Sequence, residues 1–246
     1  MFGTPFEERC TMQYLNKVNV KRSLAEEIIN PLIEVRKSSP DIYSNTVDPF
    51  SAVIDAMVSD ISLQDWLVRE ERRQIQKTLQ NKIGELHEII LGNIKGCKRL
   101  KVGKIVDLVN DENRLIAEIK NKWNTTKGNH KVDIYDDIES VLNKPAYKNY
   151  TGYYVEILPR NRQVYNNPFT PPDNRTGTNR PARQDIRQID GKSFYALLTG
   201  DSDAISKVYQ LIPDIIAEIM SEAGLSPNRK ILGEKLFKDL FGKAFA

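Results

Sequence analysis

Residues 104–120 read KIVDLVNDENRLIAEIK, and how this stretch folds decides the architecture. Two short runs rich in Ile, Val and Leu, Lys104–Asn110 and Arg114–Lys120, flank Asp-Glu-Asn, the pattern of a β-hairpin. Residues two apart on a strand share a face, so Glu118 and Lys120 project to the same side. A two-residue turn at Glu112-Asn113 places Asp107 opposite Glu118, Val106 opposite Ile119, Leu108 opposite Ala117 and Val109 opposite Ile116. Sliding by one residue would set Asp107 against Ala117 and turn it away from Glu118. The even-length turn gives the more coherent apolar pairing and is the register expected.

Carboxylates directly across a hairpin stand about 4.5–5.5 Å apart at Cβ and repel each other. A hard cation between them resolves the repulsion, and Mg²⁺ favours carboxylate, carbonyl and water oxygens. Lys120 adds a positive charge suited to positioning an attacking water and stabilising charge at phosphorus. These parts suit metal-assisted phosphodiester hydrolysis. The same spacing also describes a salt-bridged surface hairpin. Its placement after a long helix and ahead of a basic loop favours a site.

Working outward, Asn19–Val35 is amphipathic, with Leu24, Ile28, Leu32 and Val35 at helical spacing. A second helix covers 51–59, and Ser62 caps another that begins near Leu63. Ile75, Leu79, Ile83, Leu86 and Ile90 mark one face of a core-facing helix up to Leu91. After the hairpin, 121–130 reads as a polar loop and Lys131–Leu142 as a helix with Ile134, Ile138, Val141 and Leu142 inward. Gly152–Leu158 reads as a strand, and helix prevails from Ser193 onward. The fold class is therefore α/β (α+β): a mixed central sheet carrying a catalytic hairpin, flanked by helices. The division expected is a single domain over 1–246, with a helical part at 1–62, a catalytic core at 63–160, a basic loop at 161–190 and a helical part at 191–246.

The net charge is +3, from 36 basic and 33 acidic residues, too small to announce a polyanion binder. Its distribution says more: residues 159–187 hold six arginines against Asp173 and Asp185, while the rest is about neutral. That segment suits a phosphate-contacting arm or a solvated flexible loop. The proline-rich stretch 166–183 is too long for an incidental connection. No apolar run is long enough for a membrane span, and MFGTPFEERC lacks the apolar centre of a secretory signal. Cys10 and Cys97 fit reduced thiols in a cytoplasmic protein. His87 and His130 are too few for a histidine metal site and read as structural or surface residues. Asp133, Asp136, Asp137 and Glu139 lack the spacing of a calcium loop and read as a solvated helix face. Trp66 and Trp123 read as packing residues.

At Asp107 and Glu118-Ile119-Lys120 the chain resembles the PD-(D/E)xK nucleases, with Val106 in place of the proline. A narrower resemblance covers about residues 48–200. QKTLQNKIGELHEIILG (76–92), GKIVDLVNDENRLIAEIKNKWNTTKG (103–128), GYYVEILPR (152–160), YNNPFTPPDNRTG (165–177) and IDGKSFYALLTG (189–200) are similar to type II restriction endonucleases that cut GGNCC or GGWCC sites. This resemblance implies a Mg²⁺-dependent homodimer that cuts both strands of double-stranded DNA at a short palindrome and leaves 5′-phosphates. A cognate DNA methyltransferase would act on the same site without having to bind the enzyme. By position, Asp107, Glu118 and the Ile119 carbonyl would hold metal and Lys120 would act at the nucleophile. Glu85 stands where enzymes of the superfamily often supply another acid, and equally fits an ordinary helix flank.

DNA-contacting candidates are Lys122 and the loop residues Asn124, Thr125, Thr126, Lys127 and Asn129, each of which also fits a plain polar role. Guanine readers are expected among Arg160, Arg162, Arg175, Arg180 and Arg183. A repair nuclease of the same fold, or an inert DNA-binding protein whose Glu118 and Lys120 form a surface pair, are the competing readings.

Overall fold

The computed structural model describes residues 12–37, 42–44, 46–100, 105–126 and 128–245. Cys10, Lys104 and Lys127 lie outside these described residues. The chain divides into two compact units, Ser23–Leu86 and Met1–Arg22 together with His87–Ala246.

The chain begins with α1 (Lys17–Leu24), a π turn at Ala25–Ile29 and α2 (Asn30–Lys37). Then come α3 (Pro49–Val58) and α4 (Leu63–Leu91). Asp48 caps α3 by accepting from the Phe50 N–H at 3.0 Å. Ser62 caps α4, its Oγ accepting from the Asp65 N–H at 3.1 Å, as its position before the apolar run predicts. In the smaller unit Trp66 packs with Ala52 and Ala56, and its indole N–H donates to Asp55 at 2.9 Å.

The larger unit is built on a six-stranded mixed sheet. Its strands are β1 (Cys97–Arg99), β2 (Leu108–Asn110), β3 (Leu115–Lys122), β4 (Thr151–Leu158), β5 (Asn166–Pro168) and, after the two-residue pair β6 (Pro172–Asp173) and β7 (Thr178–Asn179), β8 (Ile186–Asp190). Their order is β1-β2-β3-β4-β8-β5, with β3, β4 and β8 parallel and the outer pairings antiparallel. Parallel neighbours need a crossover, and α5 (Gly128–Leu142) supplies it between β3 and β4. Its inward residues Ile134, Ile138, Val141 and Leu142 are all buried, packing with Ile116, Tyr154 and Ile186 on one sheet face. The other face is covered by α6 (Gly191–Thr199), where Phe194 meets Tyr153 with ring centroids 5.7 Å apart. α7 (Ala204–Glu222) and α8 (Lys235–Ala244) complete the unit.

Two differences from the sequence reading matter. β8 pairs with β4 along five residues at the end of the segment expected as basic loop. Only Ile186 and Ile189 are apolar in IRQID, so no period-two signal marks the strand. The first hairpin strand is also shorter than the stretch 104–110, because regular pairing begins at Leu108.

Candidate active site

Leu108–Ala117, Val109–Ile116 and Asn110–Leu115 pair as the even-length turn requires. The turn itself spans Asp111–Arg114, and the Asn110 side chain closes it by accepting from the Asn113 N–H at 2.8 Å. The ladder does not continue to an Asp107–Glu118 pair. Instead the Asp107 N–H donates to the Ala117 carbonyl at 2.9 Å, so Asp107 and Leu108 both stand opposite Ala117. Asp107 is thus the extra residue of a β-bulge, a device that re-aims one side chain. Its carboxylate accepts from the Ile119 N–H at 2.7 Å, taking the place of a backbone acceptor.

The bulge still leaves the Asp107 carboxylate near enough for its charge to act on Glu118. Lys120 Nζ donates to Glu118 Oε1 at 2.5 Å. Burial, followed by the charge of Asp107, pushes the Glu118 carboxyl up to about 7, with Lys120 only partly offsetting them. Burial alone would lower the Lys120 ammonium. The carboxylates of Glu118, Asp107 and Glu88 outweigh it and hold the ammonium above its ordinary value. Lys120 is therefore a cation at neutral pH.

Glu88, in the buried last turn of α4, was not singled out from sequence. Burial and then Asp107 push its carboxyl up to about 7, against the pull of Arg99, whose Nε donates to it at 3.3 Å. The signal was available: Ile89, Ile90 and Leu91 are fully buried, and an acid inside so apolar a turn needs a partner or a task. Glu85, chosen from the sequence instead, belongs to the smaller unit, where it lies 3.9 Å from Lys82.

Lys120 thus contacts Glu118 and feels the charges of Asp107 and Glu88, in an all-oxygen donor set without cysteine or histidine. Among the described residues no three acidic, histidine or cysteine side chains meet in ligating geometry. The available donors are the Asp107 and Glu118 carboxylates and the Ile119 carbonyl, which fits a small hard cation that keeps several waters.

Linkage makes the frustration measurable. The Glu118 carboxyl titrates near 7 in the folded chain and near 4.5 in the unfolded one. Between those values the folded state holds a proton that the unfolded state has released, so stability falls as pH rises and the full penalty is present above pH 7. Glu118→Gln should therefore stabilise the metal-free protein at pH 8, by on the order of 2 kcal/mol, and change little at pH 4.5. Thermal melts in chelator at both pH values check this, and equal stability at pH 8 would remove the strain.

The remaining candidates fall into two groups. On the loop side, the Asn129 amide oxygen accepts from Asn174 at 3.3 Å. The Thr125 hydroxyl donates to the Lys122 carbonyl at 2.7 Å, and the Thr126 hydroxyl is buried without a hydrogen-bond partner among the described residues. Arg180 and Arg183 turn towards the acidic face of α5, whereas Arg175 stays largely exposed. Arg180 meets Asp136 at 2.6 Å, Arg183 bridges Glu139 and Asp185 at 2.7 Å each, and Arg175 holds Asp173 at 3.2 Å. The acidic face stays solvent-exposed, as expected, and also anchors this arm through Asp136 and Glu139. Arg160 and Arg162 lie elsewhere: the Arg160 guanidinium sits 5.1 Å from the centre of the Trp123 ring, and Arg162 lines a cavity with Lys122 and Asn124.

Outside the cluster, Glu156 is buried on β4 and bound by Lys131 at 2.7 Å, Tyr165 at 2.5 Å and Gln188 at 2.9 Å. His87 is kept neutral, burial taking it down to about 4, while its ring nitrogen meets the Tyr195 hydroxyl at 2.9 Å. His130 is exposed.

A family model of the Eco47II restriction endonuclease matches residues 12–221, which contain the whole cluster. The chain belongs to that family. The type II restriction enzyme Eco47II of Escherichia coli is 39% identical over 204 residues, covering 82% of this chain and 85% of that protein. The type II restriction enzyme Sau96I of Staphylococcus aureus is 32% identical over 207 residues, covering 83% of this chain and 77% of that protein. Membership in the Eco47II family makes the chain a site-specific deoxyribonuclease. No helix among the described residues is long and apolar enough to cross a membrane.

Proposed function

We propose that this endonuclease is Mg²⁺-dependent, with Asp107, Glu118 and the Ile119 carbonyl holding the metal and Lys120 serving the attacking water. The observation that carries the reading is the pairing at one end of the hairpin: Asp107 held by the Ile119 N–H at 2.7 Å and Glu118 bound by Lys120 at 2.5 Å. An acid strained towards protonation, as Glu118 is, suits a cation that releases its proton on binding. Mg²⁺, when bound, supplies Lewis acidity at the scissile phosphate. Asp107 contributes one fixed carboxylate, its orientation set by the Ile119 N–H. Glu118 keeps Lys120 aligned, and the ammonium orients water and offsets the charge that develops on the phosphoryl oxygens. Glu88, rather than Glu85, is assigned as the helix-borne acid, acting on the charge balance of the site.

The target proposed is a short GGNCC-like palindrome in double-stranded DNA, cut on both strands to leave 5′-phosphates, by a homodimer in the bacterial cytoplasm. Two-fold symmetry in a palindrome calls for two-fold symmetry in its reader. α3 exposes Phe50, Ile54, Met57 and Val58, an apolar surface of the kind that a second copy covers. Incubation with mixed-sequence plasmid and Mg²⁺, followed by run-off sequencing of the ends, gives site and stagger together. Discrete fragments with one end sequence are expected. Nicking confined to damaged or branched DNA would favour a repair nuclease, and intact plasmid would leave an inert DNA-binding protein.

A further inference from the structure

A cavity of about 350 Å³ lies where β3 and β4 end together, beyond the catalytic cluster. Lys122, Arg162 and Lys243 line it along with Trp123, Leu158 and Pro159. Its three cations come from β3, from the turn after β4 and from the last turn of α8. No carboxylate lies within 4 Å of any of the three among the described residues, unlike the arginines tied to α5. The lip is conformationally costly: Asn161 and Arg162 are both left-handed, with φ of 54° and 59°. Arginine rarely adopts that conformation, and consecutive strained residues cluster where backbone or side chains are aimed at a ligand. Arg160 lies against one face of Trp123 and stiffens the wall.

Position supplies the rest. Lys122 shares the sheet face of Glu118 and Lys120 and stands four residues beyond Glu118, ~13 Å along a strand that rises about 3.3 Å per residue. That distance is a few nucleotide steps, each about 3.4 Å along the axis of one strand. We propose that this cavity binds a backbone phosphodiester of the substrate strand, a few nucleotides from the scissile bond, with the phosphate on Lys122, Arg162 and Lys243 and the sugar against Trp123 and Pro159. α8 thereby becomes a DNA-contacting element. The inference rests on the reading of the carboxylate cluster as the cleavage site.

The test measures binding of a non-cognate duplex without divalent cation, so that cleavage plays no part. Affinity is followed against salt concentration for the wild type, Lys243→Ala, Arg162→Ala and Lys235→Ala, the last removing a cation from the far end of α8. Lys243→Ala and Arg162→Ala should each weaken binding several-fold and lower the salt slope by about 1, the signature of one lost phosphate contact. Lys235→Ala should leave the slope unchanged, and Lys243→Arg should restore it. Unaltered melting curves show that the variants are folded. Duplex bound with the same slope by all variants overturns the pocket and leaves the endonuclease reading intact. An equal loss in Lys235→Ala also overturns it, by showing a diffuse charge effect. A wild type that binds no duplex also overturns the pocket.

Discussion

Lys120→Ala should abolish plasmid cleavage while leaving DNA binding within a few-fold of wild type. The ammonium is held charged by the neighbouring carboxylates and stands at 2.5 Å from Glu118, so alanine deletes the cation in direct contact with that carboxylate. Removing one preorganised donor aimed at developing charge slows an enzyme by about 10²–10³-fold. Here the loss should reach the upper end, because Glu118 also loses the partner that eases its ionisation. Single-turnover cleavage on a cognate duplex measures the step, and a gel-shift in Ca²⁺ measures binding separately. Cleavage near the wild-type rate would remove Lys120 from the mechanism.

Gly191→Ala, at the start of α6, should be strongly destabilising. A Cβ there would lie 2.5 Å from the Ile157 carbonyl oxygen and 2.7 Å from its Cα, both backbone atoms of β4. β4 is hydrogen-bonded to β3 on one side and β8 on the other, so it has no free edge towards which to move. Asp190 locks the same corner by accepting from the Ser193 N–H at 3.0 Å and the Tyr165 N–H at 2.8 Å. Overpacking of this kind destabilises by about 3 kcal/mol, or roughly 6–12 °C in melting temperature for a chain of this size. Gly242→Ala, with no atom within 4 Å of the added methyl, is the control and should be neutral. If Gly191→Ala unfolded at the wild-type denaturant midpoint, the close approach of α6 to β4 would be wrong.

What could be read from the sequence follows a simple division. The hairpin register and the inward face of α5 were legible because burying one side imposes a period on neighbouring residues. The bulge at Asp107 was not, since a period-two reading assumes a ladder with no extra residue. Glu88 was passed over for Glu85 because the helical stripe was extrapolated evenly, whereas the last turn of α4 is buried on more than one side. The ion pairs on the exposed acidic face of α5 were not legible, because its arginines arrive from about forty residues away, as Arg180 does to Asp136. Long-range ion pairs leave no local pattern. β8 escaped for a related reason: its burial is dictated by β4 and β5, not by its own alternation.

One feature of the fold bears on how the enzyme can change. α5 packs against the central sheet with one face and ties down Arg180 and Arg183 with the other. The helix is a shared chassis, so an alteration in it transmits to chemistry and to the arginine segment at once. The tip between β6 and β7 is different: Asp173 holds it by accepting from the Arg175 N–H at 2.9 Å, and Asn174–Gly177 project without burial. Selection for altered or relaxed cutting should therefore collect its tolerated changes, including insertions, at residues 174–177, and few on α5. In this molecule the freedom to evolve is confined to a four-residue crest on an otherwise braced loop.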